Sequence, residues 1–299
     1  MSGRSAPTVA VVGAGSVGGY YAAQVRKAGH PVTLCVRSPF DRLVVETGGE
    51  EVVVDATIRD DPSQVIEHDW VLFAVKAHQT AAAAPWLQAL CGPSTVVAVL
   101  QNGVEHVERV KPLVGTAEVL PTVVRYGGEA TAPGRVTHYT YGHLIAPYTE
   151  AGKRLADLFA GSDADVTTTP DFDAEAWSKL VTNVAANALP AITVQRFPVF
   201  RRPDIAELAL KLMQECIAVA GAIGVELDPD VARREVERLA GLPQNVGSSM
   251  LYDRLAGRTL EHDALNGAVV RIGKRHGVKT PLNGAINALL AAISDGSVR

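Results

Sequence analysis

The run Thr8-Val-Ala-Val-Val-Gly-Ala-Gly-Ser-Val-Gly-Gly-Tyr20 decides the fold. Thr8–Val12 is a short β-branched stretch suited to a buried strand. Gly13-Ala14-Gly15-Ser16-Val17-Gly18 then matches GxGxxG and opens a helical pattern running from Ser16 to Ala28. Gly29 stands where a helix C′ residue belongs, and Pro31–Val36 reads as a second strand. Strand, glycines, helix and strand in that order are the requirements of a dinucleotide-binding βαβ unit. Gly13 permits the tight turn and Gly15 lets backbone approach a pyrophosphate. Gly18 allows helix and strand to pack closely, while the helix N-terminus attracts phosphate charge.

Outward from this unit, short apolar runs recur at Trp70–Val75, Thr95–Leu100 and Val119–Val124, with a helical pattern at Gln79–Leu90. Val52–Ile58 reads as an accessory strand, and Arg135–His138, His143–Ala146 and Asp165–Thr168 as later strands. Alternation of this kind predicts an α/β fold, a Rossmann-type doubly wound parallel sheet. From Asp171 onward the pattern is helical, in segments near 173–189, 203–223, 229–240, 261–276 and 282–293. Pro281 suits the first turn of the last of these. The boundary falls near Thr169-Pro170, giving an α/β domain over 1–170 and an all-α domain over 171–299.

Composition narrows the function classes. A chain of 299 residues is long enough for two cores. The net charge of −4 suggests neither a nucleic-acid partner nor a polybasic membrane contact. No apolar run approaches the roughly 20 residues that span a bilayer, and Met1–Pro7 lacks a hydrophobic signal core. Three scattered cysteines fit a reducing compartment, and the expectation is a cytoplasmic protein. The histidines show no paired spacing, so no metal site is expected.

The ligand is read from the second strand, which ends at Val36-Arg37-Ser38. An NAD site places Asp or Glu there for the ribose 2′-hydroxyl, but no acidic residue lies between Gly29 and Phe40. Arg37 instead suits a 2′-phosphate, with Ser38 as a further donor, and the cofactor is read as NADP(H). Lys76 and Asn102 each follow a strand, where carboxyl ends rim the ligand crevice. The plainer readings are a solvated arginine, a surface lysine and an ordinary Asn-Gly turn.

The chemistry is read from Trp177-Ser-Lys-Leu-Val-Thr-Asn-Val-Ala-Ala-Asn-Ala-Leu-Pro190. Lys179, Asn183 and Asn187 recur every four residues and stack on one helix face. One cation and two carboxamides can hold and protonate a small carbonyl compound. Asparagine is a mediocre helix former, so two of them mid-helix need a reason. Further on, Ser248 or Ser249 can bind a carboxylate or cap a helix. Glu261 can reach a ribose hydroxyl, an amide or Lys179, or serve as an ordinary first-turn carboxylate.

In this order the residues resemble the ketopantoate reductase (2-dehydropantoate 2-reductase) family, over nearly the whole chain. The family's glycine loop matches Gly13–Gly18, its 2′-phosphate arginine Arg37, its post-strand lysine Lys76 and its contacting asparagine Asn102. Its Lys-x3-Asn-x3-Asn pattern falls on Lys179, Asn183 and Asn187. Its Ser-Ser-Met-x2-Asp and later glutamate fall on Ser248, Ser249, Met250, Asp253 and Glu261. The chain departs at Arg196-Phe-Pro-Val-Phe200, apolar where the family often has an Asn-Gly turn. The resemblance implies NADPH-dependent reduction of a 2-oxo acid, foremost ketopantoate, to a 2-hydroxy acid in pantothenate biosynthesis. It implies Lys179 as proton donor, with Asn102, Asn183, Asn187 and Ser249 holding the substrate. Gly13, Ala14, Gly15, Ser16, Val17, Gly18, Arg37, Lys76, Asn102 and Glu261 would then attend the cofactor. A reductase of another oxo acid, a 3-hydroxyacid or polyol-phosphate dehydrogenase and a non-catalytic NADP(H)-binding regulator are the alternatives. The alanine-rich helices would suit a homodimer contact.

Overall fold

The computed structural model describes residues 6–297. The expected lack of a hydrophobic signal core concerns Met1–Pro7, of which Met1–Ser5 lie outside the described residues. The strands are β1 (Val9–Val12), β2 (Val32–Cys35), β3 (Leu43–Thr47), β4 (Glu50–Val54), β5 (Thr57–Arg59) and β6 (Trp70–Phe73). They continue with β7 (Val96–Val99), β8 (Glu118–Pro121), β9 (Val123–Ala132), β10 (Arg135–Pro147) and β11 (Asp165–Thr169). The chain forms two compact units. One runs to Gln101 and includes His106–Phe172; the other joins Asn102–Glu105 to the chain from Asp173 onward.

In the first unit a six-stranded sheet has the order β5-β2-β1-β6-β7-β8, with every pair parallel. The order reverses between β1 and β6, the topological switch point of a Rossmann sheet, where ligands bind outside the carboxyl ends. All four residues of β1 are at most 1% exposed. That follows from a β-branched strand covered on both faces. Around the sheet lie α1 (Ser16–Lys27), α2 (Ala84–Leu90), α3 (His106–Val110) and α4 (Glu150–Leu158). The single helix expected over Gln79–Leu90 is instead two 3₁₀ turns, Ala77–Gln79 and Ala81–Ala83, followed by α2. Pro85 explains the late start, since proline suits the first turn of a helix and not its interior.

A second sheet, ordered β11-β10-β3-β4 with β9 antiparallel to β10, packs beside the first. The strand pattern of the sequence did not separate it. Its centre, β10, is one strand of 13 residues where two short ones were expected. Tyr141 (φ 61) and Gly142 (φ 147) make an irregularity in its middle, which breaks the period-two pattern without ending the strand. The run Val119–Val124 likewise divides at Thr122 into β8 and β9. The buried Thr122 hydroxyl donates to the Val99 carbonyl at 2.7 Å, where the chain leaves the parallel sheet.

The second unit is built of α5 (Phe172–Ala186), α6 (Ala188–Thr193), α7 (Pro203–Ala222), α8 (Val231–Gly241) and α9 (Ser249–Leu255). It closes with α10 (Asn266–Arg275) and α11 (Pro281–Ser297). The expected helix over 173–189 divides at Asn187, and that over 261–276 begins as a 3₁₀ turn, His262–Ala264. Leu180, Val184, Leu212, Met213, Val269 and Leu290 lie in its core. A buried polar network also crosses it. Asn266 Nδ2 donates to the Val184 carbonyl (3.0 Å) and Asn283 Oδ1 (3.0 Å), and Asn283 Nδ2 donates to Leu212 O (3.1 Å) and Glu215 Oε2 (2.8 Å). These partners satisfy both Nδ2 groups and fix how α5, α7, α10 and α11 meet, while the buried Asn266 Oδ1 has no hydrogen-bond partner among the described residues. Among the described residues no helix is long and apolar enough to cross a membrane.

Phe73 ends β6 fully buried. Phe73→Ala should destabilise the sheet unit by about 3–5 kcal/mol, read as a lower denaturant midpoint. A loss below about 1 kcal/mol would show that this layer repacks freely.

Candidate active site

In the first unit the glycine loop joins β1 to α1. Gly13 has φ +95°, in the left-handed region, and its amide donates to the Cys35 carbonyl at 2.9 Å. A Cβ there would lie 2.9 Å from the Val75 backbone nitrogen, and a Cβ on Gly18 only 1.9 Å from the Gly13 carbonyl oxygen. Both glycines are therefore required by close backbone approach. Gly15 differs: it is exposed, it is the N-cap of α1, and nothing lies within 4 Å of its would-be Cβ. The helix has no acidic residue in its first turn. Ala14, Ser16 and Val17 are only partly buried. An open approach to the first amides of a helix free of nearby negative charge can accept a phosphate.

The carboxyl end of β6 lies against this loop through Val75. The Val75 carbonyl accepts from Gln101 Nε2 at 3.0 Å, and the same amide bonds Thr80 Oγ1 at 3.0 Å. Gln101 ties the ends of β6 and β7 together, a role the sequence pattern did not single out. Lys76 follows Val75, half-buried, at the start of the Ala77–Gln79 turn. Arg37 is exposed two residues past β2. Burial pushes the Cys35 thiol up to about 12, outweighing the opposing influence of Arg59, so it packs rather than reacts near neutral pH.

In the second unit Lys179 sits half-buried on α5. Leu180 and Val184, packed into the core, hold that helix in rotation. The Lys179 ammonium donates to Asn102 Oδ1 at 2.9 Å, and Asn102 Nδ2 donates to Glu261 Oε2 at 3.3 Å. This orients the carboxamide without ambiguity, because an ammonium only donates and a carboxylate only accepts. Asn102 reaches Lys179 because residues 102–105 belong to this unit. Gly103 (φ +111°) passes so close to Ala264 that a Cβ would sit 2.9 Å from its carbonyl oxygen, and Val104 packs on the helical core.

Asn183 lies one turn beyond Lys179, half-buried, and makes no side-chain hydrogen bond among the described residues. Asn187 is buried at the break between α5 and α6, and its Oδ1 accepts from Ser249 Oγ (3.1 Å) and Met250 N (3.4 Å). The two serines divide their work. Ser248 caps α9, its hydroxyl accepting from Leu251 N at 3.2 Å, while Ser249 reaches Asn187. The apolar departure at Phe197–Phe200 has a packing reason, since Phe197, Val199 and Phe200 are all buried in the helical core. Among the described residues no group of three His, Cys, Asp or Glu side chains is placed to hold a metal ion.

A half-buried ammonium beside a carboxamide oxygen, with a carboxylate next in line, can stabilise and protonate a developing alkoxide. The comparisons point the same way. Residues 9–150 match the family model described as ketopantoate reductase PanE/ApbA, and residues 171–294 match its C-terminal counterpart. The 2-dehydropantoate 2-reductase of Mycobacterium tuberculosis is 40% identical over 290 residues, covering 96% of this chain and 98% of its own. That of Caulobacter vibrioides is 37% identical over 286 residues, covering 95% and 98%. A crystal structure of a PanE/ApbA family ketopantoate reductase from Ralstonia eutropha JMP134 superposes with a TM-score of 0.89 at 36% identity, covering 98% of this chain and all of that one.

Gly18→Ala tests the cradle. Its Cβ overlaps backbone, so the loop must shift at about 1–3 kcal/mol. NADPH affinity, titrated by nicotinamide fluorescence, should fall at least about tenfold. Unchanged affinity would place the dinucleotide elsewhere.

Proposed function

The chain belongs to the ketopantoate reductase family, and on that premise we propose that it reduces 2-dehydropantoate to pantoate with NADPH. The observation that carries this reading is the Lys179–Asn102–Glu261 array, an ammonium held in place by a fixed carboxamide. The loop Gly13–Gly18 suits the cofactor's pyrophosphate, because its close-packed glycines leave the first amides of α1 open. Arg37 would pair with the 2′-phosphate, and Lys76, Asn102 and Glu261 would line the nicotinamide side. When bound, the nicotinamide supplies the hydride to C2 of the oxo acid. Lys179 stabilises the charge growing on the C2 oxygen and delivers the proton that completes the hydroxyl. Its Asn102 contact limits where the ammonium can sit, so the reacting groups meet already aligned.

Asn183 and Ser249 would orient the substrate carboxylate and hydroxyl. Asn187 supports them: Ser249 occupies its Oδ1, leaving its NH₂ to donate. A non-catalytic regulator has no use for such a proton donor. The reaction would run in the cytoplasm, where free NADPH and small oxo acids occur, and a homodimer through the alanine-rich helices is part of this proposal.

Two substitutions separate the roles. Lys179→Ala should lower kcat at least about 100-fold while NADPH titration is unchanged; near-full activity with bound NADPH would remove Lys179 from the chemistry. Arg37→Ala loses a charge-assisted contact of about 1.5–3 kcal/mol. It should therefore raise KM for NADPH roughly tenfold or more with little change for NADH. Equal effects on both cofactors would show that Arg37 does not read the 2′-phosphate.

A further inference from the structure

We propose that Arg271, on α10, is a positioning residue for the reductive site, acting through Asn102 and Glu261; the inference rests on the functional reading above. Its guanidinium grips two segments at once. Nε and Nη2 donate to the Glu105 carboxylate at 3.2 and 2.6 Å, and Glu105 is only 10% exposed in its side chain. Nη1 bonds the Asp263 carboxylate, and Nη2 also donates to the Asp263 backbone carbonyl at 2.7 Å. Glu105 lies three residues after Asn102, and Asp263 two residues after Glu261. One planar fork therefore clamps the loop that carries the carboxamide to the turn that carries the carboxylate.

Three observations say that this clamp serves position. First, the Asn102–Glu261 bond is long at 3.3 Å, at the weak end of hydrogen-bond lengths. Second, a Cβ on Gly267 would lie 3.1 Å from Asp263 Oδ1 and 3.2 Å from Arg271 Nη1. One turn ahead of Arg271, that glycine leaves room for the fork. Third, a largely buried carboxylate paired with arginine adds little net stability over an apolar pair of similar size, so stability alone is a weak reason for it. Arg275 sits farther out: its nearest nitrogen is 3.9 Å from Glu105 Oε1, against 2.6 Å for Arg271. A lysine at 271 would bring a point charge where a fork is needed. A misplacement of about 1 Å in such a site costs on the order of 100-fold in rate.

The experiment compares Arg271→Met, the double variant Glu105→Gln/Arg271→Met, Asn102→Ala, and Asn102→Ala/Arg271→Met in the full-length enzyme. Turnover of 2-dehydropantoate at saturating NADPH and the melting temperature are read for each. Arg271→Met should lower kcat by about 10- to 100-fold. The Glu105→Gln/Arg271→Met pair removes the stranded buried charge, so it should regain melting temperature without regaining kcat. In the Asn102→Ala background, Arg271→Met should cost less than about twofold more, because the carboxamide it positions is already gone. If Arg271→Met does not fold, Arg271→Lys keeps the charge without the fork and carries the same expectations for kcat, alone and in the Asn102→Ala background. The inference is overturned if kcat stays within twofold of wild type, if it recovers together with melting temperature, or if the two losses multiply. Wild-type enzyme that turns over no 2-oxo acid would overturn the functional reading and this inference with it. Active wild type with an insensitive Arg271 overturns the inference alone.

Discussion

The carboxamide of Asn102 is the constraint on which the site depends. On one side it accepts from the Lys179 ammonium, on the other it donates to Glu261, and reversing it would set donor against donor and acceptor against acceptor. A lysine on a helix surface ordinarily keeps several torsions free. Here its outer end is fixed by a residue from a distant part of the sequence, 77 positions away. The rest of the helical unit serves that arrangement. Leu180 and Val184 set the rotation of α5, Gly103 allows the loop to approach Ala264, and Val104 anchors the loop in the core.

The sheet unit solves a different problem, leaving the first backbone amides of α1 open to approach. It does so by removing side chains where strands and helix crowd together. Gly18 against the Gly13 carbonyl, and Gly13 against Val75, leave no space for a methyl group, while Gly15 faces open space. The reversal of strand order between β1 and β6 puts this loop and Lys76 at the end of the sheet where ligand crevices form.

Much of this was legible in the residues, because the informative features are local. The glycine loop, β1, α1 and β2 lie within one short stretch whose physics is self-contained, and Lys179 and Asn183 lie one turn apart on a single helix, with Asn187 at its end. The features that escaped are those set by distant partners or by broken periodicity. The mixed second sheet pairs β3 with β10 across 91 residues, and the irregularity at Tyr141–Gly142 made one long strand read as two. The division of the Lys179 helix at Asn187 was hidden because every residue around it favours burial. Gln101, Glu105 and Arg271 carry no motif; their partners, Val75, Arg271 and Asp263, become visible only in three dimensions. The family resemblance in the motifs agrees with the family that the comparisons establish, whereas the bonding of the site comes from the structure.

A crystal structure of the ternary complex with NADP⁺ and pantoate would locate the proton donor. The Lys179 nitrogen should lie within about 2.6–3.2 Å of the C2 hydroxyl, with Asn102 still bridging Lys179 and Glu261. A C2 hydroxyl held by other groups, with the Lys179 amine turned into solvent, would contradict that placement.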